Sequence, residues 1–252
     1  MSDLMIFNDL IQGAHSNPFT GWDFSFLGDR WKTNEPSWDY PTLARNHMQG
    51  ITSMLDQDTG GGELLSSLAP FPPHTWATES YPPNIPVAKD RLEPLDVQVI
   101  SNYSDAAIPL PDASLDLVLN HHGSYSEEEL LRLLKPGGIF LTEQVGGRNA
   151  IRLNELLQDK VEFEYSYWTK DLIARRITDV GFELLTAKEE FPLAEFADIG
   201  AVEFYLRIIT WQVAGFSVDK YRDKLLTIHQ DILAHGPLQV HDHRILVEAR
   251  KP

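Results

Sequence analysis

An apolar segment that stops at an acidic residue and leads into consecutive glycines constrains the fold of this chain most. Residues 53–56 form the apolar segment and its acid, Gly60, Gly61 and Gly62 follow, and a helix-forming segment begins at Glu63. Glycines let the backbone approach a ligand closely, and the first N–H groups of the next helix are donors at the positive end of its dipole. The pattern indicates a nucleotide-binding loop, and later residues decide which nucleotide it holds.

Three later segments follow this loop in a regular order. The apolar segment of residues 75–78 ends at Glu79, where an acid after a second strand accepts hydrogen bonds from ribose hydroxyls. Asp105 precedes a proline-rich connection and the short apolar strand of residues 115–120. Residues 130–141 then read as a helix end, a Pro-Gly-Gly breaker and another strand.

Taken in order, these four segments of residues 50–145 resemble a class I S-adenosylmethionine-dependent methyltransferase. The resemblance implies that the glycine loop holds the methionine part of the cofactor, Glu79 the ribose and Asp105 the adenine amino group. The product of the cofactor would be S-adenosylhomocysteine. The expected cofactor-binding residues are Asp56, Asp58, Thr59, Gly60, Gly61, Gly62, Glu79, Ser80, Asp105, Ala106 and Asn120.

The loop also departs from the family pattern, because Asp58 stands where the first glycine belongs. If that position requires a positive φ, a side chain there costs about 1 kcal/mol, although Asp tolerates it better than most residues. The carboxylate would repel the methionine carboxylate and attract its ammonium group. The sequence therefore predicts weaker cofactor affinity or an altered binding geometry. An NAD-type Rossmann protein is the nearest alternative, but its loop normally has GxGxxG spacing.

Strands that alternate with helices predict an α/β fold with a doubly wound, mostly parallel seven-stranded sheet, the Rossmann-like methyltransferase fold. Ser126 and Thr169 are the expected caps of two later helices, and residues 243–249 are the expected last strand, antiparallel beside the strand that begins at Phe182. The domain prediction is a cap and leading helix in residues 1–50, a core in residues 51–190 and 237–252, and a helical insertion in residues 191–236.

The cap and the insertion are rich in aromatic residues. Much of this apolar surface must pack against the sheet or serve as a strap, but additions above the strand ends are also where a substrate pocket is built. The insertion is expected to form part of that pocket. The candidate substrate-binding residues are Trp22, Phe24, Asp198, Tyr205 and Trp211.

A histidine pair follows the strand of residues 115–120. In methyl transfer the protein mainly aligns and desolvates the reactants, and a base helps when the acceptor is a hydroxyl or a protonated amine. His121 and His122 are the catalytic candidates, with His122 preferred, and we expect only one of them to face the site because neighbours in extended backbone point oppositely. A structural role for both stays open. His241 and His243 share a face if they lie on one strand, but an exposed face is expected rather than a metal site, and no metal is predicted.

Charge and composition restrict the partners. A formal net charge of -16 disfavours nucleic acid as a partner, and the absence of cysteine excludes disulfides and thiolate metal sites. With no membrane segment or signal peptide expected, the predicted location is the cytoplasm, and the predicted state is a monomer or homodimer. The predicted function is methyl transfer to oxygen or nitrogen of a small-molecule acceptor. The alternatives are a weak or inactive cofactor-binding protein and an NAD(P)-dependent oxidoreductase.

Overall fold

The computed structural model describes residues 2–19, 24–101 and 103–252. Its strands and α-helices alternate along most of the chain. The strands are β1 (Trp31–Thr33), β2 (Ser53–Gln57), β3 (His74–Thr78), β4 (Val97–Ile100), β5 (Leu115–His121), β6 (Leu134–Val145), β7 (Glu183–Glu190), β8 (Leu193–Phe196), β9 (Leu238–His241) and β10 (Arg244–Arg250). The helices are α1 (Asp3–His15), α2 (Tyr40–His47), α3 (Glu63–Ser67), α4 (Asn84–Leu92), α5 (Glu127–Leu133), α6 (Ile151–Leu157), α7 (Lys170–Asp179), α8 (Ile199–Ile208) and α9 (Val218–His235).

Seven strands form the central sheet, in the order β4-β3-β2-β5-β6-β10-β7. The first five are parallel to one another, and β10 runs antiparallel to both of its neighbours. The predicted fold class is confirmed, and the last strand lies antiparallel beside the strand that follows Phe182, as expected. Its pairing with β6 on the other side was not predicted. Because β2, β3, β4, β5 and β6 are parallel, their carboxyl ends share one edge of the sheet.

The central strands β2 and β5 carry apolar side chains on both faces of the sheet, and helices cover both faces. Met54 and Leu117 belong to one buried cluster, whereas Leu55 and Val118 belong to another. Residues of α2, α3 and α4 pack in the first cluster, and residues of α5 and α7 pack in the second. The alternation along β2 and β5 therefore places neighbouring side chains on opposite faces, as in a doubly wound sheet.

Side-chain caps fix several helix starts. The hydroxyl oxygens of Ser126 and Thr169 accept hydrogen bonds from the amides of Glu129 and Leu172, both at 3.3 Å. These contacts confirm both predicted caps, and the helix expected near residue 40 is α2, capped by Asp39. Each cap satisfies an amide that has no partner within its own helix.

The terminal additions pack together rather than on the central sheet alone. Helix α1 packs against α8 and α9, with Phe7, Phe204 and Ile228 in one buried cluster. Strands β1, β8 and β9 form a second, antiparallel sheet. Helix α1 was not predicted from the sequence, and the segment between β7 and β10 contains two short strands as well as its two helices. Among the described residues, no helix combines the length and the apolar character that a bilayer crossing requires.

Candidate active site

The glycine loop lies at the carboxyl edge of the sheet between β2 and α3. The amide of Thr59 donates to the carbonyl oxygen of Thr78 at 2.8 Å, which ties the loop to the end of β3. Gly62 has a φ of 79°, and a Cβ atom there would lie 2.8 Å from the Leu92 side chain. Glycine is required at this position because its backbone is left-handed and closely packed.

Asp58, at the start of this loop, has a φ of 58°. Its Oδ2 atom accepts hydrogen bonds from the amide of Ser124 at 3.0 Å and from the hydroxyl of Ser124 at 3.3 Å, and its Oδ1 atom accepts one from the Tyr103 hydroxyl. Burial raises the pKa of Asp58. The carboxylate therefore bridges the loops that follow β2, β4 and β5, which accounts for an aspartate at this strained position.

Two further carboxylates are buried at the same edge. Asp56 on β2 is 6% exposed, and burial raises its pKa to about 6. Glu79, directly after β3, is 5% exposed, and burial raises its pKa as well. Its Oε1 atom accepts a hydrogen bond from the amide of Tyr81 at 2.6 Å. Ser80 beside it is exposed.

Asp105 and Asn120 are held by hydrogen bonds to their neighbours. Asp105 accepts from Gln57 Nε2 at 3.3 Å and from the Ser124 hydroxyl at 2.6 Å, and Ala106 beside it is exposed. Asn120 is fully buried, and its Oδ1 atom accepts from Gln144 Nε2 at 2.6 Å. Its Nδ2 atom donates to the Gln57 carbonyl oxygen at 3.3 Å. Asn120 therefore joins β5 to β2 and β6.

The two histidines after β5 face the same way. His121 Nε2 and His122 Nε2 lie 3.4 and 3.3 Å from the same atom, Oε1 of Glu143, and their rings stack with centroids 3.9 Å apart. The expectation that only one of them would face the site is wrong. His122 has a φ of 65°, so the extended backbone, and with it the alternation of side chains, ends at His121.

The surroundings of His122 favour its neutral form, and those of Glu143 favour its ionised form. Burial and the adjacent His121 lower the pKa of His122 to about 4, although a third of its side chain is exposed. Burial raises the pKa of Glu143, but hydrogen bonds from His121 and His122 outweigh that effect and hold it well below its ordinary value. Trp38 Nε1 donates to Oε2 of Glu143 at 2.5 Å, so both carboxylate oxygens are engaged.

Sequence reasoning missed Glu143 and Trp38 as site residues. The signal for Glu143 was an acid shortly after the apolar residues 139–141. In the structure it is paired with His121 in the register of β5 and β6. Trp38 lies in an aromatic segment that gave no periodic pattern. Tyr40, also in that segment, packs its ring 5.0 Å from His121 and donates its hydroxyl to the Asn120 carbonyl oxygen at 3.1 Å.

The other histidine pair, His241 and His243, differs in burial. His243 is fully buried, with Nε2 2.9 Å from Glu189 Oε2 and its ring stacked on Phe191, whereas His241 is exposed. The expectation of an exposed face is therefore wrong for His243. The two residues do not share a strand, because β9 ends at His241 and β10 begins at Arg244.

Comparison with known families decides the type of domain. Residues 55–142 match a family model described as a methyltransferase domain. These residues form a methyltransferase domain. The chain is accordingly an enzyme of the methyltransferase type, and S-adenosylmethionine is its cofactor. No curated protein is similar enough in sequence to match the chain.

Solved structures share the overall fold of this chain. A candidate methyltransferase from Bacillus halodurans is 18% identical, with a TM-score of 0.61 over 85% of this chain and 99% of its own. The YcgJ protein from Bacillus subtilis is 16% identical, with a TM-score of 0.58 over 84% and 97%. The [4+2]-cyclase SpnF is 17% identical, with a TM-score of 0.55 over 99% and 93%. At these identities the likeness extends to the fold alone.

The residues at the edge of the methyltransferase domain fit S-adenosylmethionine chemically. The cofactor carries a sulfonium cation, an ammonium group, ribose hydroxyls and an adenine amino group, and these call for acceptors and negative charge. Asp56, Asp58, Glu79 and Asp105 supply carboxylates. Gln57 Oε1 is buried and has no hydrogen-bond partner among the described residues, so one acceptor is available for a ligand.

The candidate substrate-binding residues differ in how far they are buried and in what they contact. Phe24 packs on Trp31 and Phe204, and Tyr205 is buried with its hydroxyl accepting from Asn149 Nδ2 at 3.1 Å. Trp211 is 39% exposed. Trp22 lies outside the described residues.

Asp198 is engaged in the packing of the terminal additions. Both of its carboxylate oxygens accept hydrogen bonds from Arg30 at 2.7 Å, and Oδ1 also caps α8 by accepting from the Ala201 amide at 3.0 Å. Burial raises the pKa of Asp198, but the bonds from Arg30 lower it below its ordinary value overall. We therefore leave Asp198 out of the proposed site.

Proposed function

We propose that this chain transfers the methyl group of S-adenosylmethionine to oxygen or nitrogen of a small-molecule acceptor. The observation that carries the proposal is the cluster of His121, His122 and Glu143 at the carboxyl ends of β5 and β6. It stands beside Asn120, at the edge that also carries Asp56 and the glycine loop. A neutral imidazole that is hydrogen-bonded to a carboxylate at that edge can take a proton from the acceptor.

The proposed cofactor site runs along the ends of β2, β3 and β5. The backbone of Thr59, Gly60, Gly61 and Gly62 would lie against the methionine part, and Asp56 would add negative charge near it. Glu79 and Ser80 would bind the ribose, and Asp105 and Ala106 the adenine. When bound, the cofactor supplies an electrophilic methyl group on a positively charged sulfur.

The remaining residues would hold and deprotonate the acceptor. A neutral His122 that donates its Nε2 hydrogen to Glu143 carries its lone pair on Nδ1, which is the atom that would take the acceptor proton. Glu143 would fix this tautomer, and Trp38 would fix Glu143. His121 would support the same carboxylate. Phe24, in the cap of residues 1–50, would line the acceptor side of the site. Tyr205 and Trp211, in the insertion of residues 191–236, would line it as well.

The charge of the chain supports a small acceptor. A net charge of -16 opposes extended contact with nucleic-acid phosphates, and the carboxylates at the proposed site strengthen that opposition locally. A cytoplasmic location and a monomeric or homodimeric state complete the proposal.

The test is release of S-adenosylhomocysteine in the presence of a panel of small alcohols, phenols, amines and carboxylic acids. We expect turnover with at least one acceptor, and a loss of about 10²-fold or more in His122→Ala if its imidazole takes the acceptor proton. His47→Ala is the matched control, because His47 pairs with Glu248 at 3.2 Å in another part of the fold. Cofactor binding without product across the panel would favour a non-catalytic binding protein instead.

A further inference from the structure

Three side chains that commonly bind metals converge at the ends of β5 and β6. The Nε2 atoms of His121 and His122 lie 3.4 and 3.3 Å from Oε1 of Glu143, and the ligand atoms of the group lie within 4.8 Å of one another. Zinc bonds to nitrogen and oxygen of about 2.0–2.2 Å, at tetrahedral angles, place two ligand atoms about 3.4 Å apart. The nitrogen-to-oxygen separations are close to that spacing. The two rings are stacked with 22° between their planes, so they must turn apart for both lone pairs to reach one ion.

The surrounding structure holds these ligand atoms in place. His121 and Glu143 are partners in the register of β5 and β6, and the amide of His122 donates to the Glu143 carbonyl oxygen at 2.8 Å. Trp38 Nε1 binds Oε2 of Glu143 at 2.5 Å, which leaves Oε1 directed at the two imidazoles. A hydrogen bond of this kind orients a ligating carboxylate in many metal sites.

We propose that His121, His122 and Glu143 bind one divalent transition-metal ion at the acceptor end of the site. Two imidazoles and one carboxylate suit Zn²⁺, Co²⁺ or Fe²⁺ better than Mg²⁺ or Ca²⁺, which prefer oxygen ligands. Three protein ligands leave a coordination position open, as in catalytic rather than structural sites. Among the residues that the structure describes, no second group of this kind occurs.

The open coordination position of the ion indicates which class of acceptor is methylated. This inference about the acceptor rests on the proposed function. A hydroxyl group bound to the ion loses its proton more readily, and that proton passes to solvent water. The resulting oxygen attacks the methyl carbon, so that a C–O bond forms as the C–S bond breaks. The electron pair of the broken bond stays on sulfur and gives S-adenosylhomocysteine. The acceptor would be an alcohol or phenol, and the product its methyl ether.

Metal binding changes the role of the histidines. With an ion bound, Nε2 of His121 and of His122 carries a metal bond instead of a hydrogen, and the ion replaces the imidazole as the group that activates the acceptor. Without an ion, the same two nitrogens donate hydrogen bonds to Glu143. Methyl transfer would therefore require the ion if the histidines bind a metal, and would not require it if they only donate hydrogen bonds to Glu143. An experiment can measure this difference.

The experiment uses the full chain, produced without a histidine tag and treated with a chelator. It is titrated with Zn²⁺ by calorimetry and with Co²⁺ by visible absorption. We expect one equivalent to bind, and at least a 10-fold loss of affinity in both Glu143→Gln and His122→Gln. The matched control is His47→Gln, which removes a histidine paired with Glu248 and should bind the ion as the wild type does. Circular dichroism establishes that each variant is folded.

Two results would overturn the metal site. One is a wild-type affinity no higher than that of Glu143→Gln, and the other is an equal loss in His47→Gln. Trp38→Phe keeps all three ligands, so it still tests the site if the ligand variants fail to fold, and a several-fold weaker binding is expected from the freed carboxylate oxygen.

Methyl transfer is measured separately, with and without Zn²⁺. One equivalent of ion bound without any methyl transfer would leave the metal site standing and overturn the proposed function. Methyl transfer at the same rate after chelation would leave the proposed function standing and overturn the role of the ion in activating the acceptor. Transfer to hydroxyl acceptors that is lost on chelation and restored by Zn²⁺ is the result that we expect.

Discussion

The amide of Ser124 donates a hydrogen bond to Oδ2 of Asp58 at 3.0 Å and joins the loop after β5 to the loop after β2. The Tyr103 hydroxyl binds the other oxygen of the same carboxylate. Asp58 thus holds together the loops that border the proposed cofactor site, at a position where its backbone is left-handed, with a φ of 58°.

Replacement of Asp58 by glycine tests this bridging role. Asp58→Gly relieves about 1 kcal/mol of left-handed strain but removes hydrogen bonds to a charged group worth about 1.5–3 kcal/mol each. We expect a net loss of at least about 2 kcal/mol in the free energy of unfolding, measured by urea denaturation. Asp96→Gly is the control, because Asp96 has a φ of 62° and is exposed. An Asp58→Gly protein as stable as Asp96→Gly would contradict the role.

The buried carboxylate of Asp56 should cost stability at neutral pH. Its folded pKa of about 6 lies above the ordinary value of 3.8, so the folded state is favoured at low pH and loses stability as the pH rises through 6. Asp56→Asn should raise the free energy of unfolding by about 1–3 kcal/mol at pH 8, and by progressively less as the pH falls from 6 toward 4. A stabilisation by Asp56→Asn that does not change with pH would contradict the raised pKa of Asp56.

The Trp38 indole should matter through its N–H group more than through its volume. Trp38→Phe keeps an aromatic ring but leaves Oε2 of the buried Glu143 without its donor. We expect a loss of about 1–3 kcal/mol in thermal or denaturant unfolding. Trp76→Phe is the control, because Trp76 Nε1 donates to Gln98 in an exposed contact at 3.2 Å and should cost less than about 1 kcal/mol. Equal losses of stability in Trp38→Phe and Trp76→Phe would contradict this role of the N–H group and would show that only the size of the ring matters.

Gly123 is where the loop after β5 passes closest to Asp58. A Cβ atom there would lie 2.4 Å from Asp58 Cβ and 2.8 Å from Asn120 Nδ2. Gly123→Ala should therefore push the two loops apart, at a cost of about 1–3 kcal/mol, and weaken S-adenosylmethionine binding measured by calorimetry. Gly13→Ala, with nothing within 4 Å of its Cβ, should leave binding unchanged and stabilise α1 by up to about 1 kcal/mol. Unchanged binding in Gly123→Ala would contradict this account.

The sheet could be predicted because its signals are local. The apolar segments of β2, β3 and β5, the glycines of the loop and the caps Ser126 and Thr169 each depend on neighbours in sequence. Helix α1 was not predicted, although its buried residues Phe7 and Ile11 have helical spacing.

The histidine cluster could be predicted only in part, because it depends on tertiary contacts. The position of His121 and His122 after a strand was visible in the sequence. Their common orientation follows from the left-handed φ of His122, and their shared partner follows from the pairing of β5 with β6. Trp38 reaches Glu143 across 105 positions of sequence, a separation at which no local pattern operates.

The most direct test of the central claim is a calorimetric titration of the purified chain with S-adenosylmethionine, with S-adenosylhomocysteine and NADH for comparison. We expect binding of the first two and not of NADH, a loss of affinity of about 10-fold or more in Glu79→Ala, and unchanged binding in Glu93→Ala, which alters an exposed acid. Binding of NADH in preference to S-adenosylmethionine, or binding that survives Glu79→Ala undiminished, would contradict the proposed cofactor site.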